Sequence, residues 1–226
     1  MNDDRSTFNN IKTRIILSLA VNLALVVMGS IGCYLESLKH GISVVRFFTF
    51  LSNFVGVISA AFLCAALIMS LKNRSYLISR TAATLKFVST CCLTLTFLVV
   101  VFALVPLAVG RQSTIGETII RFLFTGNMLY QHFLCPVVSI ISIIFIDPLN
   151  FGFAKARKLA LYATCPVLAY AIVVTLLNVL KVMRGPYPFL DVYAQPVYVS
   201  ILWAVAILGG TYLISFLLAK SVRPRR

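Results

Sequence analysis

Charge is scarce in this chain of 226 residues. Only 12% of them are Asp, Glu, Lys or Arg, and just six are acidic. A soluble domain carries about 25% charged residues, so a globule bathed in water is excluded. The apolar runs contain no paired carboxylates, and the chain has neither a glycine-rich phosphate loop nor a cluster of His, Cys, Asp or Glu at metal-ligand spacing. No cofactor and no metal are therefore expected, and a carrier driven through acids at span centres is disfavoured. Histidine is limited to His40 and His132. The six cysteines, Cys33, Cys64, Cys91, Cys92, Cys135 and Cys165, all fall in apolar stretches. Their spacing suits neither a disulfide framework nor a zinc site, and they read as small packing residues.

What the chain does have is hydrocarbon: 60% of its residues are hydrophobic. Six apolar runs, at about 15–35, 44–71, 85–109, 121–146, 159–180 and 197–219, each reach the roughly 20 residues a helix needs to cross a bilayer. Runs of that length without alternating polarity rule out a barrel. The expected fold is all-α: a polytopic membrane protein forming one compact bundle of six transmembrane helices over residues 1–226. Short loops make consecutive helices antiparallel neighbours. The first run is too long for the apolar segment of a signal peptide and lacks a small-x-small cleavage site, so it is taken as a span.

The net charge of +14 raises nucleic acid as a partner, but the basic residues sit between the apolar runs, where they act as topological signals. No nucleic acid is expected. One side collects Arg5, Lys12, Arg14, Lys72, Arg74, Arg80, Lys86, Lys155, Arg157, Lys158, Lys220, Arg223, Arg225 and Arg226, fourteen of the 20. The other holds Lys39, Arg46, Arg111, Arg121, Lys181 and Arg184. The excess places both termini in the cytoplasm and the chain in the cell membrane.

Candidate chemistry gathers in two runs. The fourth carries Asn127, Tyr130, Gln131 and His132 in apolar surroundings, and Pro136, which has no N–H, is expected to kink it. The second carries Thr49, Ser52 and Asn53. Taken singly, these groups suit interhelical hydrogen bonds. Taken together they can do more, because a threonine hydroxyl becomes a nucleophile when a histidine takes its proton. Asn53, Tyr130 or Asp191 would orient that histidine. In straight helices, Thr49 and His132 differ in depth by about 12 Å, so pairing them demands a tilt or a kink. Arg46 and Arg121 sit where headgroups begin. They serve either as snorkelling anchors or as a clamp on a substrate head group. Residues 184–196, with three prolines and three aromatic residues, read as a structured cap. The stretches RFFTFLSN and RFLFTGN, at 46–53 and 121–127, echo each other, but the match is too short to define a repeat.

RFFTFLSNF at 46–54, NMLYQHF at 127–133 and YPFLD at 187–191 together resemble the androgen-induced membrane protein family, in particular its small bacterial members. That resemblance implies a six-helix intramembrane hydrolase of fatty acid esters of hydroxy fatty acids, with Thr49 as nucleophile and His132 as base. The expected function is hydrolysis of a lipid ester inside the membrane. The alternative is a non-catalytic bundle that binds or transports a lipid or small amphiphile through the same residues. Membrane lipids and an amphiphilic small molecule are the expected partners.

Overall fold

The structure, a computed structural model, describes residues 2–41, 43–73, 78–109, 114–149, 151 and 155–222. Among these residues all regular structure is helical. The α-helices are α1 (Asn2–His40), α2 (Val44–Thr49), α3 (Leu51–Lys72), α4 (Arg80–Val99), α5 (Val105–Ala108), α6 (Ile115–Ile119), α7 (Cys135–Ile141), α8 (Ala156–Val179) and α9 (Val197–Ser221). Wider π turns fall at Val100–Leu104, Ile120–Phe124, Leu129–Leu134 and Ser142–Ile146. Among the described residues six stretches are long and apolar enough to cross a membrane: Asn10–Lys39, Leu51–Lys72, Arg80–Ala108, Leu129–Ile146, Ala156–Val179 and Val197–Ser221. The chain is an all-α, multi-pass membrane protein.

Local chemistry moves several boundaries from where the apolar runs put them. The run at 44–71 is broken at Phe50, whose backbone lies at φ −108°, ψ 16°. There the Thr49 hydroxyl donates to the Val45 carbonyl at 2.7 Å, a back-bond that bends helices. The run at 121–146 is not one helix either. Gly126 adopts φ 57°, a left-handed conformation that costs glycine nothing, and the span begins only at Leu129. The two echoing segments thus share a shape, each closing a short helical piece ahead of a span.

At the other end of the bundle, α4 starts earlier than expected. The Ser79 hydroxyl caps it by accepting the Ala82 N–H at 3.1 Å. Lys86 consequently lies inside the helix, 1% exposed. It does not belong with the loop charges, and thirteen basic residues remain on that side.

Among the described residues α1 packs on α3, α3 on α4 and α8 on α9, but the consecutive spans that contain α7 and α8 do not pack closely on each other. Helix α4 joins the two groups, touching α7 on one side and α8 and α9 on the other. Near the end that carries Asn10 and Ser221, Phe87, Ile143, Ala163 and Leu218 close the core. We call this the terminal end and the opposite one the cap end.

Candidate functional site

A cavity of about 780 Å³ lies between the α3–α4 pair and the α8–α9 pair at the cap end. Its walls are apolar, with Val55, Leu95, Val99, Val167, Ile201 and Ile207 among them, and no charged side chain among the described residues lines it. The volume falls in the range of small-molecule sites. Polar groups on the wall are few. Ser52 and Thr96 hydrogen-bond to each other at 2.8 Å. The Tyr170 hydroxyl is buried against the cavity and finds no partner among the described residues.

The 184–196 loop closes the cap end. Tyr187 and Phe189 stack with centroids 5.3 Å apart, and Phe189 leans on Trp203 at 5.2 Å. The Tyr187 hydroxyl donates to the Thr49 carbonyl at 2.7 Å, so the cap is latched to the break between α2 and α3. Burial pushes the Tyr187 phenol up from its ordinary value. Asn178, which reads from the sequence as an isolated amide, staples the loop: its Nδ2 donates to the Met183 carbonyl and its Oδ1 accepts the Val192 N–H. Gly185 sits so close to Leu190 that a Cβ there would lie 2.4 Å from backbone atoms.

Thr49 is on the cavity wall; His132 is not. The imidazole is 7% exposed, its Nδ1 lies 3.0 Å from the Phe122 carbonyl, and one face stacks on Phe50. Phe50, the residue next to Thr49, reaches the histidine ring. What meets the imidazole, however, is a phenyl ring, and the threonine hydroxyl is already bonded to Val45.

The other expected site residues are dispersed. Asp191 pairs with Arg184 at 3.5 Å and accepts the Tyr193 N–H, so it holds the loop and does not orient His132. Tyr130 is half-buried against Gly32 of α1. Asn53 is 2% exposed and lines a separate, narrow internal gap with Lys86 and Ser139. Arg121 is exposed and lies off the cavity wall. The side chain of Arg46 is outside the described residues. No group of His, Cys, Asp or Glu able to hold a metal occurs among the described residues.

Sequence reasoning missed a buried polar cluster at the terminal end. Ser18 and Asn22 both donate to Asp147 Oδ1, at 2.6 and 2.9 Å. The available signal was the spacing of Ser18 and Asn22, one turn apart on one face of α1. Asp147 itself reads from the sequence only as part of a helix stop.

No protein-family model matches this chain, nor does any curated protein or solved structure.

Proposed function

We propose that the chain is a membrane-embedded receptor for a long-chain amphiphile with a neutral polar group. The apolar cavity under the aromatic cap is the observation that carries this reading. Its walls suit an acyl chain, and the free Tyr170 hydroxyl together with the Ser52–Thr96 pair suits an ester, amide or alcohol. An uncompensated carboxylate would be costly there, because no cation among the described residues lines the space. Arg121 takes the role of a headgroup anchor at the membrane surface.

Hydrolysis of a lipid ester is the second reading, favoured by the position of Thr49 on the cavity wall. It requires His132 to exchange its contact with the Phe50 ring for one with the threonine, and the threonine hydroxyl to leave Val45. The loop charges support the orientation read from the sequence, with the terminal end in the cytoplasm.

Equilibrium binding of a radiolabelled long-chain neutral ester to the detergent-purified protein tests the proposal, with thin-layer analysis of the ester afterwards. The expected result is saturable binding of one ester per chain, intact ester, and at least tenfold weaker binding by Ala171→Phe, which fills the cavity. Saturable binding absent from the parent, or unchanged in Ala171→Phe, overturns the reading. Release of fatty acid by the parent but not by Thr49→Val moves the assignment to the hydrolase.

A further inference from the structure

The half of the bundle away from the cavity contains a column of buried polar groups that the ester site does not use. At the terminal end stands Asp147 with Ser18 and Asn22. Next comes Lys86, whose Nζ donates to Ser139 Oγ at 3.2 Å, with Thr90 bonded to the same hydroxyl at 2.8 Å. Above it lies a gap of about 10 Å³, lined by Asn53, Lys86, Ser139 and Gly29, room for about one water. Gln131 follows, packed against Gly32. At the cap end Asn127 donates to the Glu36 carboxylate.

Three features mark this column as more than packing. Its side chains are withdrawn from solvent, with Lys86 1%, Gln131 0%, Asn53 2%, Asp147 6% and Glu36 4% exposed. Both amide atoms of Asn53, both of Gln131, Asn22 Oδ1 and Asp147 Oδ2 find no hydrogen-bond partner among the described residues. Buried polar groups are normally satisfied, so polar atoms without partners at successive depths are the signature of sites built for water. The third feature is spacing. Gln131, Ser139 and Asp147 recur every eight residues, and on an unbroken α-helix the last would point about 160° away from the first. A π turn falls in each interval, Leu129–Leu134 and Ser142–Ile146, and such a bulge takes up one extra residue. The two π turns return all three groups to the protein interior. Ser18 and Glu36 on α1 span about 27 Å of helix, close to the ~30 Å thickness of the hydrocarbon core.

We propose that this column is a transmembrane proton path with Lys86 as its central carrier. Asp147 takes a proton at the terminal end, and water passes it to the neutral amine of Lys86, which becomes ammonium. The ammonium then returns a proton to water on the Asn53 and Gln131 side. Glu36 accepts it and releases it at the cap end, and every group finishes in the state in which it began. Asn53 and Gln131 hold water without carrying the proton themselves. The ionisable groups facing Lys86 are Asp147, Cys64 on α3 and Cys135 on α7. A gap with room for about one water excludes hydrated ions, so the permeant species is the proton.

The test reconstitutes the full chain in vesicles that contain potassium and a trapped pH-sensitive dye. Valinomycin with an outward potassium gradient makes the interior negative and drives protons inward. The expected acidification rate is at least tenfold that of protein-free vesicles, and Lys86→Met lowers it by at least tenfold. Should Lys86→Met fail to reconstitute, Gln131→Leu, one level higher, carries the same decision and the same expected loss. A parent rate equal to that of protein-free vesicles overturns the proposal. So does a parent-like rate in the lysine variant, or in the glutamine variant where that is the one that reconstitutes. Sodium or potassium passing as readily as protons overturns it as well.

Discussion

The ring of Phe50 lies on the imidazole of His132, with centroids 6.5 Å apart and planes inclined by 21°. His132 thus packs on the neighbour of a threonine on the cavity wall and not on the cavity itself, and this makes the two readings of the cavity distinguishable. If the protein only binds its ligand, Thr49→Val removes one hydroxyl that was bonded to its own helix, and ester affinity stays within about twofold. If it is a hydrolase, Thr49→Val abolishes turnover and Thr49→Ser retains part of it, because only the hydroxyl supplies the nucleophile. Phe50→Ala then acts in opposite directions on the two quantities. Freeing the imidazole from the ring raises any hydrolysis, while loss of a buried phenyl ring destabilises the protein by about 3–5 kcal/mol. Ester release and thermal unfolding, measured on the same samples, decide between them.

The fold was largely legible because hydrophobic length is the dominant signal in a membrane chain, and the six runs become six spans. The breaks were not, for a physical reason. A threonine back-bond at Thr49 and a left-handed glycine at Gly126 interrupt helices without interrupting hydrophobicity. The cap was legible as a structured loop from its prolines and aromatic residues. The separation of Thr49 from His132 was not, since it depends on which face of a bent helix Phe50 presents. Lys86 was misplaced because a basic residue near the end of an apolar run looks like a loop charge. Only the Ser79 cap shows that the helix has already begun.

The cap depends on Gly185. A methyl group there meets the carbonyl carbon and oxygen of Leu190 and the nitrogen of Asp191 at 2.4 to 2.5 Å, and backbone cannot step aside as a flexible side chain does. Gly185→Ala is expected to displace the loop, redden the emission of Trp203, and weaken ester binding severalfold. Gly116→Ala, where a Cβ meets nothing within 4 Å, is expected to leave both readouts unchanged.

The latch from Tyr187 to Thr49 gives the cap a pH dependence of defined sign. Burial raises the phenol above its free value of about 10. Folding therefore favours the protonated form, and the contribution is fully present below about pH 10 and erodes as the pH rises past it. The unfolding temperature followed from pH 7 to 11 is expected to fall above pH 10 in the parent. In Tyr187→Phe, which has no phenol at this position, that component is expected to be missing, and the stability at neutral pH to be lower by about 1 kcal/mol for the lost hydrogen bond.

Orientation is testable at two exposed positions. Single cysteines replacing Lys72 and Lys181, with native thiols blocked beforehand, are expected to react with a membrane-impermeant maleimide from opposite sides, Lys72→Cys only from the cytoplasm. The excess of basic residues at the terminal end predicts this side. Labelling of Lys181→Cys from the cytoplasm reverses the whole bundle.

Asp147 separates hydrogen bonding from charge. Its Oδ1 accepts from Ser18 and Asn22, while Oδ2 has no partner among the described residues. Asp147→Asn keeps the accepting oxygen and replaces the unpartnered one, so thermal stability in detergent is expected to change little. Asp147→Leu leaves two buried donors without their acceptor, at about 1–3 kcal/mol each, and a clear drop in unfolding temperature is expected. The asparagine variant also removes the group that can take up a proton at the terminal end. It is therefore expected to fold like the parent and yet lose proton flux, a combination that a purely structural role for Asp147 does not produce. Parent-like flux in Asp147→Asn would remove the carboxylate from the path while leaving its place in the fold intact.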